Sequence, residues 1–183
     1  MIPEPCVATI GFFDGVHMGH RYLIQQVKEI AAAKGLRSAL VTFPVHPRKV
    51  MNAAYHPELL TTPEEKTNLL AGTGVDYCLM LDFTPDISRL TAKEFMTQIL
   101  KERYQVKYLV IGYDHRFGHN RSEGFDDYVR YGQVIGIEVI RAQAYTDDIQ
   151  IDTTQSAPVS SSLIRKLLHQ GDVDVAARCL GYE

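Results

Sequence analysis

The run Gly11-Phe12-Phe13-Asp14-Gly15-Val16-His17-Met18-Gly19-His20 sets two imidazoles three residues apart, among glycines that recur at every fourth position. Glycine lets backbone come close to a ligand. Where such a loop opens a helix, the first turn offers free N–H groups and the positive end of the helix dipole. An imidazole held there can donate a hydrogen bond to a phosphate oxygen and stabilise charge growing on it. The combination points to phosphate chemistry; the plainer reading is a Gly-rich turn with two surface histidines. Asp14 can orient a histidine, approach Mg²⁺ or cap the helix. The P-loop pattern GxxxxGK(S/T) is missing, and Gly72-Thr73-Gly74 lacks a third glycine and precedes a strand, the wrong order for a dinucleotide loop. Catalytic zinc is disfavoured, because no Cys or further His stands at a ligand spacing from His17 and His20.

Two other stretches carry polar groups in suggestive order. Ser160-Ser161-Ser162 precede Leu163-Ile164-Arg165. Serine hydroxyls and free N–H groups at a helix start make an anion pocket, and a guanidinium one turn inside can clamp two phosphate oxygens. A serine N-cap followed by a solvated arginine is the bland alternative. Between Asp114 and Arg121, His115, Arg116, His119 and Arg121 place four potentially cationic side chains within seven residues. Such a run alone is usually just solvated.

The segments that must position these groups alternate in type. Cys6–Phe13, Leu36–Phe43, Val75–Phe83, Val106–Tyr113 and Ile137–Tyr145 read as strands, with Ile149–Asp152 a short extra one. Helices are expected over Gly19–Lys34, with Leu23, Val27, Ile30 and Ala31 on one face, and over Thr62–Ala71, with Thr62 as N-cap. Others are expected over Thr91–Tyr104, with Phe95, Ile99 and Leu100 inward, and over Phe125–Val134. The last two are Ser161–Gln170, with Leu163, Ile164, Leu167 and Leu168 apolar, and Val173–Leu180. Residues Pro44 to Thr62, with Pro44, Pro47 and Pro57, read as a long irregular loop. Strands separated by helices imply an α/β fold, a doubly wound parallel sheet in a single domain. Ligands in such sheets bind beyond the carboxyl ends of the strands, so the loops after strands one, two and four should share one edge.

Composition narrows the function classes. The chain has 183 residues, 45% hydrophobic and 22% charged, a balance that excludes wholesale disorder. A net charge of −3 provides no global field for nucleic acid or anionic membrane. Three scattered cysteines, Cys6, Cys78 and Cys179, suit a reducing cytoplasm. No signal-peptide pattern opens the chain, and no run of about 18 apolar residues could span a bilayer.

The element His17-Met18-Gly19-His20 resembles the HxGH signature of the nucleotidyltransferase superfamily. The longer string GFFDGVHMGH is similar, more narrowly, to the FMN adenylyltransferase module of prokaryotic FAD synthetases. Three further stretches agree in order: VTFPVHP (Val41–Pro47), IGYDHRFGHNR (Ile111–Arg121) and VSSSLIRKLLHQGDVDVAARCLGY (Val159–Tyr182). The resemblance implies a Rossmann-like nucleotidyltransferase fold and transfer of the adenylyl group of ATP to FMN, giving FAD and pyrophosphate, with Mg²⁺ accompanying ATP. It implies catalytic roles for His17, His20 and Arg165. ATP contacts would come from Gly11, Phe12, Phe13, Asp14, Gly15 and Gly19, and from Ser160, Ser161 and Ser162. Acceptor contacts would come from His46, Pro47, Asp114, Arg116, Phe117 and Gly118. The family joins this module to a C-terminal riboflavin kinase barrel, so residues 1–183 are expected to form the adenylyltransferase domain without the kinase, which would be its partner in a longer chain. The chain departs from the family at Pro44-Val45-His46-Pro47, where Glu-Pro-His-Pro is usual; at His115, usually Phe; and at Ser162, usually Thr, where the hydroxyl is kept.

Other functions compatible with the same residues are a sister transferase acting on nicotinate mononucleotide or phosphopantetheine, and a non-catalytic flavin- or nucleotide-binding module. A nucleic-acid role fits least, given the acidic balance.

Overall fold

The computed structural model describes residues 4–112, 115–152 and 154–183. Five strands form one parallel sheet: β1 (Cys6–Ile10), β2 (Arg37–Thr42), β3 (Tyr77–Met80), β4 (Val106–Ile111) and β5 (Glu138–Arg141). Their order is β3-β2-β1-β4-β5, so the direction of progression reverses between β1 and β4. That switch point is where the ends of β1 and β4 splay their loops apart and open a crevice. All five residues of β1 are buried, as a central strand covered on both faces requires.

Alternation along β1 divides the core. Cys6, Ala8 and Ile10 face a large cluster containing Phe95, Met96, Ile99 and Leu100, whereas Val7 faces Val27 and Ala31. Helix α1 (Met18–Lys34) supplies the second group and ends at Gly35, whose left-handed backbone lets its N–H reach the Ala31 and Ala32 carbonyls. Helix α2 (Pro47–Met51) interrupts the 44–62 stretch expected to be wholly irregular; proline at its first turn and the His46 ring capping Arg48 N–H start it. Helix α3 (Pro63–Ala71) carries the expected Thr62 cap, reinforced by the Glu65 carboxylate on Thr62 N–H.

Helix α4 (Pro85–Ser88), a single turn, lies outside the sequence expectations, because four residues show no periodicity. The helix expected over 91–104 is two pieces: α5 (Ala92–Phe95) passes into a wider π-type coil, Met96–Arg103. Phe95, Ile99 and Leu100 still point inward. Helix α6 (Phe125–Ile135) leads into β5, which is shorter than the expected Ile137–Tyr145. A two-residue ribbon, β6 (Ile149–Gln150) with β7 (Ser156–Ala157), precedes α7 (Ser161–Gln170) and α8 (Val173–Leu180). Of the apolar face expected on α7, Ile164 and Leu167 are buried against Ala176 and Cys179, but Leu168 is 44% exposed. The three cysteines are free thiols. Among the described residues no helix is long and apolar enough to cross a membrane.

Candidate active site

The chain leaves β1 through a contorted loop. Phe13 and Val16 both take left-handed backbone angles, with φ of 58° and 42°. A β-branched residue there is strained and persists only where its surroundings fix it; Val16 is fully buried. The strain sets the trajectory of α1, and His17 becomes its N-cap, with Nδ1 accepting the His20 N–H at 3.3 Å. Because Nδ1 accepts, the proton of the neutral ring sits on Nε2, which makes that nitrogen the donor.

His17 and His20 stack, ring centroids 3.5 Å apart and nearly parallel. A Cβ at Gly19 would stand 3.0 Å from the His17 ring, so glycine is what lets the imidazole fold back over the helix start. The Phe13 ring, turned into the core, props His20 edge-on at 5.3 Å. Burial holds both imidazoles in the neutral form. It lowers His17 to about 4 against the opposing pull of Asp14. His20 is pushed well below its usual range by burial, then by His17 and by Lys66. His20 Nδ1 is buried without a hydrogen-bond partner among the described residues. An unmet polar atom of this kind costs about 1–3 kcal/mol and calls for a reason.

Asp14 binds neither histidine. Its carboxylate accepts from Leu60 N–H at 3.0 Å, from Thr61 N–H at 3.2 Å and from the Thr61 hydroxyl at 3.3 Å. Arg165 donates to it at 2.6 Å and, through Nε, to the Glu58 carbonyl at 2.6 Å. Thus 58–61 and α7 are fastened to the same buried acid. Ser160 caps α7 by accepting Leu163 N–H, and the Ser161 hydroxyl donates to the Asp14 carbonyl at 3.0 Å, whereas Ser162 is exposed. Gly15 is gripped from the far end of the chain as well: Tyr182 donates its hydroxyl to Gly15 O at 2.7 Å, and a Leu180 methyl lies 3.3 Å from where a Gly15 Cβ would be. The structure therefore brings together His17, His20, Arg165, Asp14, Gly15, Gly19 and Ser161.

The residues expected to contact the acceptor gather around a separate cavity. A cavity of about 360 Å³ opens between the ends of β1, β2 and β4, lined by His46, Pro47, Arg116, Phe117 and Gly118. Asp114 lies outside the described residues. Phe12 and Gly11 line this cavity too, whereas His17 and His20 are not among its lining residues. His46 packs edge-on to Phe12 at 4.8 Å. Phe117 is fixed by stacking on Tyr128 at 4.2 Å, and the Tyr128 hydroxyl accepts Phe117 N–H at 3.0 Å while donating to Glu123 O at 3.1 Å. His115 and Arg121 also face the space.

Three contributors were missed by sequence reasoning. Tyr128 looks like any aromatic on an amphipathic helix, and Thr61 like a loop residue. Lys66, in polar α3, is 2% exposed and donates to the Phe12 and Phe43 carbonyls. The local signal available for Lys66 was its helical spacing from buried Leu70. Among the described residues no group of three acids, histidines or cysteines could hold a metal, and the Asp14 carboxylate is filled by hydrogen-bond donors.

The profile of the FAD synthetase family matches residues 1–157. A bifunctional riboflavin kinase/FMN adenylyltransferase of Listeria monocytogenes is 34% identical over 177 residues, 96% of this chain and 54% of that protein. Its namesake from Pseudomonas fluorescens is 35% identical over 176 residues, 96% of this chain and 54% of that one. The Escherichia coli K12 protein of the same name is 32% identical over 98% of this chain. The chain spans about half the length of these curated relatives. A crystal structure described as a macrolide-efflux protein from Streptococcus pneumoniae superposes over all of this chain and 66% of its own, with a TM-score of 0.82 and 29% identity.

Proposed function

We propose that this chain, which belongs to the FAD synthetase family, transfers the adenylyl group of ATP to FMN, giving FAD and pyrophosphate. The FMN phosphate oxygen attacks the α-phosphorus of ATP in line; the α–β bridging bond breaks and pyrophosphate leaves. No protein nucleophile is needed, so the residues act by positioning and by stabilising charge as it moves onto the leaving group.

The observation that carries this reading is the stacked pair of His17 and His20, held neutral by burial at the N-terminus of α1. Neutral imidazoles donate to phosphate oxygens without adding a full charge to a buried site. His17 presents its Nε2–H, and the α1 amides add the positive dipole end. Gly11 and Gly19 give the triphosphate close access to backbone, whereas Gly15 is buried with its N–H and C=O taken by Thr61 and Tyr182; the start of α7 at Ser160–Ser162 receives its far end. Arg165 spends Nε and one terminal nitrogen on Glu58 and Asp14; its other terminal nitrogen is assigned to pyrophosphate. Mg²⁺ is proposed to enter on the ATP phosphates.

The aromatic chamber suits an isoalloxazine ring. Pockets of roughly 300–1,000 Å³ are the usual size for small ligands, and Phe12, Phe43, Phe83 and Phe117 supply stacking surface. His46, Pro47, Arg116 and Gly118 would border the flavin, with Asp114 nearby in sequence. Residues 1–183 are assigned to the adenylyltransferase domain, and a cytoplasmic location, where ATP and FMN are at hand, goes with this reading. Incubation of pure protein with ATP and FMN, nicotinate mononucleotide or phosphopantetheine, followed by chromatography and pyrophosphate detection, tests the reading. FAD and pyrophosphate formed with FMN alone is expected. Turnover only with another acceptor, or none with any, overturns it.

A further inference from the structure

Lys66 is a buried ammonium with no carboxylate bonded to it among the described residues. Its Nζ donates to Phe43 O at 2.8 Å and to Phe12 O at 3.0 Å, and lies 3.8 Å from the centroid of the Phe12 ring. Two carbonyls and a ring face occupy its three donors, so it has none left for a substrate. Asp14, the acid whose charge acts on it, is ion-paired to Arg165 instead. The charged and titratable groups that face Lys66 are Asp14 from the loop after β1, His20 from α1, His46 before α2 and Cys78 in β3. Burying an unpaired cation costs several kcal/mol. Its two hydrogen bonds satisfy the Phe12 and Phe43 carbonyls, but a neutral donor could do that, so the charge itself needs a reason.

Its location gives one. Phe12 lies two residues beyond the end of β1 and Phe43 directly beyond β2, and both line the aromatic cavity. The Thr42 hydroxyl also donates to Phe12 O, at 3.1 Å, so that carbonyl is held twice. The cation also lies against the Phe12 ring, whose electron-rich face it attracts.

We propose that Lys66 is a positioning residue for FMN, an internal ammonium that clips the two strand ends together, holds Phe12 at the cavity wall and lends positive charge to a site that receives phosphorylated flavin. The inference deepens the adenylyl-transfer reading and rests on it for the identity of the ligand. Burial, opposed by Asp14 and Cys78, brings the Lys66 pKa down to about 8. Below that pH the clip is charged; above it the ring attraction and the field are lost. Arginine stays charged throughout this range, and glutamine keeps a donor without any charge.

The test is FMN affinity, read from quenching of flavin fluorescence, in wild type, Lys66→Arg and Lys66→Gln from pH 6.5 to 9.5, with FAD formation followed in parallel and folding checked by circular dichroism. Wild type should bind FMN well at pH 7 and weaken with a midpoint near 8. Lys66→Gln should bind about tenfold more weakly at pH 7, equivalent to about 1.4 kcal/mol, with no further fall near pH 8. Lys66→Arg, where it folds, should restore binding and remove the alkaline fall; where it does not fold, Lys66→Gln decides. Wild-type affinity in folded Lys66→Gln, absence of the alkaline fall in wild type, or its persistence in Lys66→Gln overturns the inference. Wild type that binds FMN with the expected pH dependence but makes no FAD overturns adenylyl transfer and leaves Lys66 as the positioning residue of an FMN-binding module.

Discussion

The carboxylate of Asp14 and the guanidinium of Arg165 meet at 2.6 Å across 151 residues of chain. Asp14 is 5% exposed at its side chain and Arg165 29%, so the pair is shielded on one side and wet on the other. Arg165→Lys should be non-conservative, because a lysine cannot reach both Glu58 O and the acid with a planar fork. Asp14→Asn and Arg165→Lys should each cost about 1–3 kcal/mol. The double variant should cost less than the sum, with a coupling of at least about 1 kcal/mol in thermal or urea melts. Additive losses would show that the pair does not act as a unit. The kinetic loss in Arg165→Lys should fall mainly on kcat for FAD formation; wild-type kcat and KM would remove Arg165 from the reaction.

His20→Ala should lower kcat far more than it raises KM for ATP. An interaction that strengthens as charge moves to pyrophosphate acts on the transition state, and one such donor is worth about 3–4 kcal/mol, or on the order of 10²–10³ in rate. Steady-state kinetics with FMN and ATP check it. Normal turnover with weakened ATP binding would make His20 an anchor only.

Acid should destabilise the fold through His17. The ring stays neutral in the folded protein down to about pH 4, whereas in the unfolded chain it takes its proton near pH 6.5. Between those values the unfolded chain binds more protons, so stability is full above about pH 6.5 and falls toward pH 4 by about 3 kcal/mol from this ring. Urea unfolding at pH 7 and pH 4.5 measures it. His17→Asn should show a smaller difference between the two pH values than wild type; an equal difference rejects the assignment.

Gly118 and Gly35 both have positive φ, 86° and 66°, yet their surroundings differ. A Cβ at Gly118 would lie 2.6 Å from the Ala92 nitrogen, whereas nothing stands within 4 Å of one at Gly35. Gly35→Ala should therefore cost about 1 kcal/mol and Gly118→Ala at least about 2 kcal/mol. Because Gly118 lines the aromatic cavity, its variant should also raise KM for FMN more than KM for ATP. Equal melting losses would sink the distinction.

Much of this site was legible in the sequence because its signals are local. The His17–His20 spacing, the glycines between them and the Ser-rich start of α7 each specify their own turn of backbone. Alternation of strands and helices was enough to put the ends of β1, β2 and β4 on one edge. Asp14 was not legible: orienting a histidine, binding Mg²⁺ and capping a helix were all open, and its actual partners, Leu60, Thr61 and Arg165, are distant in sequence. Lys66 was hidden for the same reason. Beside Glu64 and Glu65 it looks like a solvated helix residue, and only closure of α3 over the strand ends supplies the Phe12 and Phe43 carbonyls. Short helices such as α2 and α4 hold too few residues to show a period.

The grip of Tyr182 on Gly15 spans 167 residues, and that separation sets a timetable for synthesis. At about 5–20 residues per second, the loop holding Val16 in its strained shape emerges roughly ten to thirty seconds before the segment that braces it. Until then His17 and His20 have neither the α7 anchor nor the Tyr182 strut, and the left-handed turn at Val16 has lost much of what enforces it. A nascent chain can complete the β1–β2 pairing early, but the loop that carries its two histidines is braced only once α7 and α8 have emerged and packed against it.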